Sequence, residues 1–308
     1  MSMQSYGVIG LGKLGLSIAV SLSAQGRLAW TMNRGAENRN AAKFLLSPSV
    51  PMYSSIQAIP ALPQTLILAV SDGALEEVSE QLAAKFGNAL SDTMLIHCSG
   101  VKTRSVLAAC EAQGAFTIGA HPYQTFGVAT AKNFKDIAWG VELPPNEPYT
   151  TISEQAAKEM IQTLGGRMNI LSAETIENKP LYHVSAIFAS NYISVLVGYA
   201  AQAAREAGIS PEQFLPQILH KSLENALSGL KQTGTKYPLT GPISRGDVAA
   251  IQHHIDSLRT SANGRSMIRP YCLYALATAD FACTQGFISK EHHLALRETL
   301  QNVIDEMQ

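Results

Sequence analysis

Short apolar runs rich in β-branched residues alternate with segments of helical periodicity through the first half of the chain. Each run is long enough for one buried strand, and each helical segment can carry the chain back across a sheet. This alternation predicts a parallel sheet with right-handed crossovers. The predicted strands cover residues 6–9, 28–33, 65–70, 94–97, 116–120, 137–142 and 167–171, and the predicted helices cover residues 14–25, 74–86, 103–112 and 152–164.

The pattern becomes entirely helical after about residue 172. One helical pattern extends from Asn178 to Ala207 and is stopped by Gly208, and Ser210-Pro211 supplies the N-cap and first residue of the next helix. We therefore predict a doubly wound α/β domain over residues 1–172 and an all-helical domain over residues 173–308. The further predicted helices cover residues 211–231, 247–258, 268–285 and 290–307, with a Gly/Pro/Thr-rich segment at residues 233–247.

Three glycines with the spacing G-x-G-x-x-G follow the first predicted strand and open the first predicted helix. The first permits a tight turn, the second lets the backbone approach a pyrophosphate, and the third allows the helix to pack closely on the strand. The start of the helix offers free N–H groups and a positive dipole end to phosphates. The loop predicts a Rossmann dinucleotide-binding unit, with cofactor contacts along Gly10, Leu11, Gly12, Lys13, Leu14 and Gly15.

The second predicted strand ends on Asn33-Arg34, where an NAD-binding unit carries Asp or Glu. An acidic residue would accept a hydrogen bond from the ribose 2′-hydroxyl and repel a 2′-phosphate, whereas Arg34 offers that phosphate a planar fork. Arg39 could add a second positive charge. A solvated loop arginine is the alternative interpretation, but the position at the strand end favours NADP as the cofactor.

Polar residues also follow the predicted strands at residues 65–70 and 94–97. These are Val70-Ser71 and Ser99-Gly100. Ligands of open α/β sheets bind at the carboxyl ends of the strands. We therefore expect these residues to border the ribose and nicotinamide, and we expect His97 to be a packing residue at the end of its strand.

Four motifs carry a resemblance to a known group of proteins. They are H-C-S-G at residues 97–100, H-P-Y-Q-T-F at residues 121–126, S-N-Y at residues 190–192 and L-T-G-P-I-S-R-G-D at residues 239–247. With the glycine loop and the helical half, the chain resembles the 6-phosphogluconate dehydrogenase-like superfamily, which includes ketopantoate reductase, pyrroline-carboxylate reductase and prephenate dehydrogenase. The motifs are most similar to a bacterial group of Rossmann-like proteins with a helical C-terminal domain of unknown function. The resemblance spans essentially the whole chain and implies a fold and a cofactor, without supplying a substrate.

Reduction of a carbonyl or imine requires a proton donor beside the reacting carbon. Lys179 and His183 open the long helix four residues apart and project from one face. In the superfamily a lysine at the start of such a helix and an amide one turn later form the catalytic pair, which implies this role for Lys179, although His183 stands in the place of the amide. Asn191 and Ser190 follow two turns further on, so we predict catalytic roles for Lys179, His183 and Asn191. The alternative is that Lys179 solvates a helix end and His183 packs against the sheet.

Two loops predict substrate contacts in addition to Ser190. His121 follows a predicted strand and could polarise a substrate carboxylate or fix the loop. Gly241 shapes a turn-rich loop in which Arg245 could grip a carboxylate or phosphate. An internal brace between Arg245 and Asp247, or an N-cap by Asp247, is the alternative.

Composition and charge argue against several classes of function for this chain. Charged residues make up 15% of the chain and the net charge is −1, so no basic surface is expected to bind nucleic acid. The four scattered cysteines are typical of buried thiols in a reducing compartment, and no metal-ligand spacing predicts a metal site. Residues 8–22 lack a basic n-region, and no other uninterrupted apolar stretch approaches the length of a membrane span. We therefore expect a cytoplasmic protein with no membrane partner.

These features favour an NADP-dependent oxidoreductase that transfers hydride to or from a small, anionic carbonyl or imine compound. A non-catalytic NADP-sensing or scaffold protein is one alternative, and a prephenate-type dehydrogenase in which His121 takes a hydroxyl proton is another. The resemblance also implies a homodimer formed through the helical domain. The apolar helical segments at residues 185–203 and 268–282 fit that arrangement, but a core within one chain explains them equally well.

Overall fold

A computed structural model describes residues 5–130, 133–230 and 238–307 of the chain. The chain forms two compact units, Met1–Tyr192 and Ile193–Gln308, which are described separately. The predicted domain boundary at residue 172 stays a prediction. The helices between residues 173 and 189 belong to the first unit, with which they make most of their contacts. Part of the predicted Gly/Pro/Thr-rich segment, residues 233–237, lies outside the described residues.

The first unit is built on an eight-stranded sheet with the order β3-β2-β1-β4-β5-β6-β7-β8. The chain reverses its direction of travel across the sheet between β1 and β4, which creates a crevice at the carboxyl ends of those two strands. β7 runs antiparallel to β6, and all other neighbours are parallel. The doubly wound α/β prediction is thereby confirmed for a mostly parallel sheet. The strands are β1 (Tyr6–Ile9), β2 (Leu28–Met32), β3 (Met52–Tyr53), β4 (Thr65–Leu68), β5 (Met94–His97), β6 (Phe116–Pro122), β7 (Ala138–Glu142) and β8 (Arg167–Ile170).

Successive side chains of the central strands enter two separate apolar layers, one on each face of the sheet. On β5, Met94 and Ile96 join one layer and Leu95 joins the other. This alternation follows from the two-residue repeat of a strand. It explains why the strands read as continuous apolar runs, because both faces of a parallel sheet are covered by helices.

The helices of the chain follow the sheet strands in the first unit and fill the second unit. They are α1 (Lys13–Ser23), α2 (Ala36–Lys43), α3 (Leu75–Phe86), α4 (Ala108–Glu111), α5 (Tyr149–Leu164), α6 (Ala173–Glu177), α7 (Lys179–Ala189), α8 (Asn191–Glu206), α9 (Pro211–Gly229), α10 (Val248–Thr260), α11 (Arg265–Thr284) and α12 (Lys290–Asp305). In the second unit, buried side chains of α10, α11 and α12, among them Ile255, Cys272 and Leu300, form the core. The four cysteines are free, and three are buried.

The structure corrects the predicted single helix from Asn178 to Ala207. Ser190 has φ −134° and ψ −68° and separates α7 from α8. Its hydroxyl donates to the carbonyl of Ala186 four residues back, at 2.6 Å, a bond that competes with regular helix geometry. The apolar periodicity continues through the break, so hydrophobic pattern alone does not reveal it.

Another predicted helix, at residues 103–112, is only partly α-helical. It consists of a 3₁₀ turn, Arg104–Leu107, followed by the single turn of α4. The short elements α2, α6 and β3 were not predicted. Each is eight residues or fewer, which is too short for hydrophobic periodicity to identify.

One helical stretch among the described residues, Lys179–Glu206, is long and apolar enough to cross a membrane by length and composition. It contains the break at Ser190, and its apolar window is exposed. A single stretch of this kind is weak evidence, so the absence of a membrane partner stays a prediction.

Candidate functional site

The glycine loop after β1 contains two glycines that the fold itself requires. Gly10 has φ +94°, and a Cβ there would lie 2.5 Å from the carbonyl oxygen of Ala69. A Cβ on Gly15 would lie 1.9 Å from the carbonyl oxygen of Gly10. Gly10 therefore makes the turn and Gly15 lets α1 approach it, as the sequence predicted.

Gly12 differs because a Cβ there would meet no described atom within 4 Å. It is exposed, it is the N-cap residue of α1, and it lines a cavity of about 320 Å³ at the carboxyl ends of β1, β2 and β4. Neither φ nor packing demands glycine at this position. The open space beside the N-terminus of α1 fits a pyrophosphate that approaches the backbone closely.

Other predicted cofactor residues surround the same loop. Val70 and Ser71 line the cavity from the end of β4. Leu11 is buried, whereas Lys13 is exposed and Leu14 half-buried in the first turn of α1. Leu11, Lys13 and Leu14 do not line the cavity themselves.

The end of β2 is held in place by a small polar network. Asn33 Oδ1 accepts the N–H of Leu11 at 2.9 Å and so links β2 to the glycine loop. Arg39 does not face the cavity, because its Nη1 donates to the carbonyl oxygens of Asn33 at 2.6 Å and Arg34 at 2.5 Å. Arg34 lines the cavity, is exposed, and makes no ion pair or hydrogen bond through its side chain with the described residues. One guanidinium is therefore available to a ligand, and the other fixes the strand end.

A second cavity of about 220 Å³ lies at the end of β6 against α7. Its wall combines polar side chains with Ala186, Ile187 and Ala189, and it contains no Asp, Glu, Lys or Arg among the described residues. It brings together four residues predicted to act on the substrate. They are His121, His183, Ser190 and Asn191, and Tyr123, Gln124 and Thr125 complete the polar wall.

Three glycines make room for polar atoms between the sheet and α7. A Cβ on Gly140 would lie 2.6 Å from the hydroxyl of Tyr182, and one on Gly100 would lie 2.6 Å from Nδ1 of His183. A Cβ on Gly119 would lie 3.3 Å from Nζ of Lys179. Lys179, Tyr182 and His183 occupy one face of α7 at i, i+3 and i+4. The glycines on β6, on β7 and in the loop after β5 thus allow a polar helix face to pack on the sheet.

Lys179 is buried in an ion pair and does not line the cavity. Its Nζ donates to Glu142 Oε2 at 2.8 Å and to the carbonyl oxygen of Lys102 at 2.5 Å, and its side chain is 2% exposed. Glu142 Oε1 also accepts the N–H of Arg104 at 3.0 Å. Each described contact of its ammonium holds α7 against β7 or the loop after β5, and the proton-donor role of Lys179 stays a prediction.

His121 forms a hydrogen-bonded pair with Tyr182. Its Nδ1 lies 3.0 Å from the Tyr182 hydroxyl, and its Nε2 faces Gly100, where a Cβ would be 2.9 Å away. Burial, with the neighbouring His183 and Lys179, lowers the pKa of His121 to about 4. Burial raises the pKa of Tyr182, so its phenol stays protonated and can donate to the neutral imidazole.

His97 lies beneath this pair at the end of β5 and is fully buried. Its Nδ1 accepts the N–H of Ser99 at 3.2 Å, so the neutral ring carries its hydrogen on Nε2. Burial first, and then the charge of Lys179, lowers the pKa of His97 to about 3. His97 Nε2 and His183 Nδ1 are buried without a hydrogen-bond partner among the described residues. His97 is thus the packing residue that was predicted, with one orphaned donor.

The remaining predicted site residues occupy other positions. The Ser99 hydroxyl accepts the N–H groups of Val101 at 3.1 Å and Lys102 at 2.9 Å, which orders the loop after β5. Gly241 and exposed Arg245 lie in the second unit, in the loop before α10. Asp247 N-caps α10 by accepting the N–H of Ala250 at 3.0 Å, as one alternative had it. In the described part of the chain, no cluster of three or more His, Cys, Asp or Glu residues could hold a metal ion.

The sequence did not single out Glu142 or Tyr182. Tyr182 could have been found, because it lies three residues after Lys179 on the face that carries His183. Glu142 gave no such signal. Its pairing with Lys179 depends on the antiparallel register of β7, in which Glu142 lies beside Gly119.

Two family models match parts of the chain. Residues 2–122 match a Rossmann-like domain, and residues 150–278 match a domain of unknown function, DUF2520. No curated protein matches the chain.

Several solved structures share the fold at low sequence identity. A provisionally assigned NADP oxidoreductase from Bacteroides fragilis has a TM-score of 0.69 and 20% identity, with 90% of this chain and 98% of that chain covered. A reductive aminase from Aspergillus terreus in complex with NADPH has a TM-score of 0.56 and 18% identity, covering 99% and 95%. A pyrroline-5-carboxylate reductase from Coxiella burnetii has a TM-score of 0.54 and 17% identity, covering 99% and 98%. At these identities the likeness concerns the fold.

The buried ion pair predicts that substitution of Lys179 alone lowers the free energy of unfolding much more than substitution of both partners. Lys179→Met leaves the Glu142 carboxylate buried without its counter-ion, and we expect it to lower the free energy of unfolding by about 3 to 5 kcal/mol. Lys179→Met combined with Glu142→Gln removes both charges and should recover much of that loss. Urea unfolding followed by tryptophan fluorescence measures this in the first unit, because both tryptophans, Trp30 and Trp139, are buried there. A Lys179→Met protein as stable as the parent would contradict the pairing.

The buried histidines predict loss of stability on acidification. The native pKa values of His97 and His121, about 3 and about 4, lie below the unfolded value of 6.5, so the unfolded chain binds protons that the native state does not. Their stabilisation is fully present above about pH 6.5 and falls as the pH drops toward 4. Each histidine contributes a slope of about 1.4 kcal/mol per pH unit in that window. Urea unfolding of His97→Gln across the window should show a shallower slope, whereas exposed His253→Gln should match the parent.

Proposed function

Because this chain joins a Rossmann-like domain to a DUF2520 domain on a fold shared with NAD(P)-dependent oxidoreductases, we propose that it is an NADP-dependent reductase of a small carbonyl or imine compound. The cofactor supplies the hydride when it is bound. Hydride transfer is reversible, and the proposal includes the oxidation of the corresponding alcohol or amine.

The observation that carries the proposal is the contrast among the three loop glycines. Gly10 and Gly15 are explained by a turn and by packing, whereas Gly12 borders only open space at the start of α1. A dinucleotide pyrophosphate in that space would accept hydrogen bonds from the first N–H groups of α1. Gly10 to Gly15, with Val70 and Ser71, are the residues that would hold it.

The choice of NADP rests on Arg34. It lines the same cavity, and no ion pair with the described residues occupies its guanidinium. Arg39 supports it indirectly by holding the carbonyl oxygens at the end of β2. A 2′-phosphate would gain a charge-assisted contact there that a 2′-hydroxyl would not.

Proton delivery is assigned to His183, which faces the second cavity together with His121. The Tyr182 phenol donates to His121 Nδ1, which leaves Nε2–H of His121 directed toward the cavity side of Gly100. His183 Nδ1 lies beside the same glycine. Asn191 and Ser190 supply further hydrogen bonds, and Lys179 positions α7 from beneath.

The substrate in this proposal is small, because the second cavity measures about 220 Å³. The anionic character of the substrate stays a prediction, because Arg245, on which it rested, is an exposed residue of the second unit. In the prephenate-type alternative, His121 takes a hydroxyl proton. The lowered pKa of His121 supports that alternative, because a neutral imidazole is available as a base at neutral pH.

Measurement of cofactor binding tests the first part of the proposal, that the cofactor is NADP. The protein should bind NADPH more tightly than NADH, as measured by quenching of tryptophan fluorescence. Gly12→Ala should abolish NADPH binding without loss of stability, whereas Gly198→Ala, which also meets no atom within 4 Å, should have no effect.

Arg34→Ser should lower NADPH affinity about tenfold and leave NADH affinity unchanged, with Lys158→Ser as a control. Equal binding of both cofactors by the parent would remove the NADP assignment.

Measurement of turnover tests the second part of the proposal, that the protein reduces a small carbonyl or imine compound. NADPH oxidation should be seen with some member of a panel of small ketoacids, aldehydes and cyclic imines, and His183→Gln should lower kcat by about 10² to 10⁴ while NADPH still binds. Tight NADPH binding without turnover on any member would instead support the sensing alternative.

We also propose that the chain works as a cytoplasmic homodimer. Large apolar side chains are exposed on three consecutive helices, and the free cysteines fit a reducing compartment. A second copy of the chain is the occupant we assign to these exposed side chains. The exposed side chains are Leu181, Val184, Phe188, Tyr192, Val195, Leu196, Phe214, Ile218, Leu223 and Leu227.

Sedimentation velocity checks the dimer. The mass should be twice the 33.0 kDa of one chain, and Ile218→Glu should shift it toward one chain because a charge would enter an apolar interface. Phe44→Glu changes an even more exposed apolar residue outside these helices and should leave the mass unchanged. A parent protein with the mass of one chain would overturn the proposal.

A further inference from the structure

A third cavity, of about 300 Å³, lies in the first unit at the start of β6. The proposed catalytic cavity lies at the end of the same strand, so the two are separate. Its wall comes from the 3₁₀ turn after β5, from α4, from the segment after β7 and from α5. None of the residues assigned to the cofactor or to proton delivery belongs to it.

The polar end of this cavity holds a fixed pair of opposite charges. Arg104 Nη1 donates to Glu111 Oε2 at 2.6 Å and to Thr117 Oγ1 at 2.9 Å. The guanidinium has five N–H donors, and those on Nε and Nη2 make no hydrogen bond with the described residues. Glu111 Oε1 is likewise without a described partner, and its side chain is 44% exposed. Both a cationic donor edge and an anionic acceptor are therefore open to a ligand.

The other end of the cavity is apolar. The rings of Phe116 and Tyr149 pack with their centroids 5.5 Å apart, and Pro144 and Pro145 lie beside them. Tyr149 is half exposed. At the base, Ser153 is fully buried and its hydroxyl has no partner among the described residues. Aromatic and proline surfaces favour an apolar ligand group, which would cover the exposed ring of Tyr149.

The two ends together select one class of ligand. A simple anion would meet the Glu111 carboxylate, and a simple cation would meet the Arg104 guanidinium, so each would be repelled by one half of the pair. A molecule with a carboxylate and an ammonium on one carbon satisfies both charges at once. We propose that this cavity binds a free α-amino acid with an apolar or aromatic side chain, its carboxylate on Arg104, its ammonium on Glu111 and its side chain on Phe116 and Tyr149.

Isothermal titration calorimetry on the full-length protein tests this site with three probes: L-phenylalanine, 3-phenylpropanoate and 2-phenylethylamine. L-Phenylalanine should bind about tenfold more tightly than either analogue, because each analogue lacks one of the two charge-assisted contacts. Glu111→Gln should lower the affinity for L-phenylalanine about tenfold and leave 3-phenylpropanoate unchanged or improved. Tyr149→Ala should weaken L-phenylalanine and 3-phenylpropanoate alike.

A control variant separates this cavity from the proposed catalytic one. Gln124→Ala lies in the catalytic cavity and should leave L-phenylalanine binding unchanged. Loss of binding in Gln124→Ala, or equal binding of all three probes, would overturn the proposal, as would no heat with L-phenylalanine or L-leucine at millimolar concentration. NADPH titrated into the same samples reports separately on the cofactor site, so failure of one proposal does not imply failure of the other.

Discussion

The ion pair between Lys179 and Glu142 is the interaction on which the polar site depends. It lies at the point where α7 meets β7, and it also engages the loop after β5 through the carbonyl of Lys102 and the N–H of Arg104. Removing two charges from water is costly, and further hydrogen bonds to both partners offset that cost. The carbonyl of Lys102 accepts from a second N–H of the Lys179 ammonium, and the N–H of Arg104 donates to the second oxygen of Glu142. One buried carboxylate therefore sets the position of a helix against one strand and a loop.

With the first turn of α7 fixed in this way, the next residues on that face have little freedom. Tyr182 and His183 must enter the sheet surface, where Gly140 and Gly100 leave space for their polar atoms. An interface between helix and sheet is normally apolar, and here it contains imidazoles, a phenol and an ammonium. Such an arrangement stabilises the fold less than apolar packing would. Its position at the carboxyl end of a mostly parallel sheet is where a functional reason is expected.

The features that depend on local chemistry could be predicted from the sequence. The glycine loop, the strand ends at Asn33 and Val70 and the helical second half all follow from short-range pattern, and the fold followed from them. The break at Ser190 was missed because a side-chain bond to the backbone interrupts the helix without changing its apolar repeat. The ion pair of Lys179 could not be predicted because its partner is 37 residues away on an antiparallel strand. Pairings of that kind are fixed by register, which periodicity does not encode.

The glycines at positions 100, 119 and 140 also limit which substitutions this site can accept. Any side chain at these positions would collide with a polar atom of α7 or with His97 and His121, so the sheet side of the site can change only after the helix side has shrunk. The walls formed by Tyr123, Gln124 and Asn191 carry no such restriction. Changes in the chemistry of this cavity would therefore arise first in the loop after β6 and at the start of α8, while the three glycines are held fixed by packing.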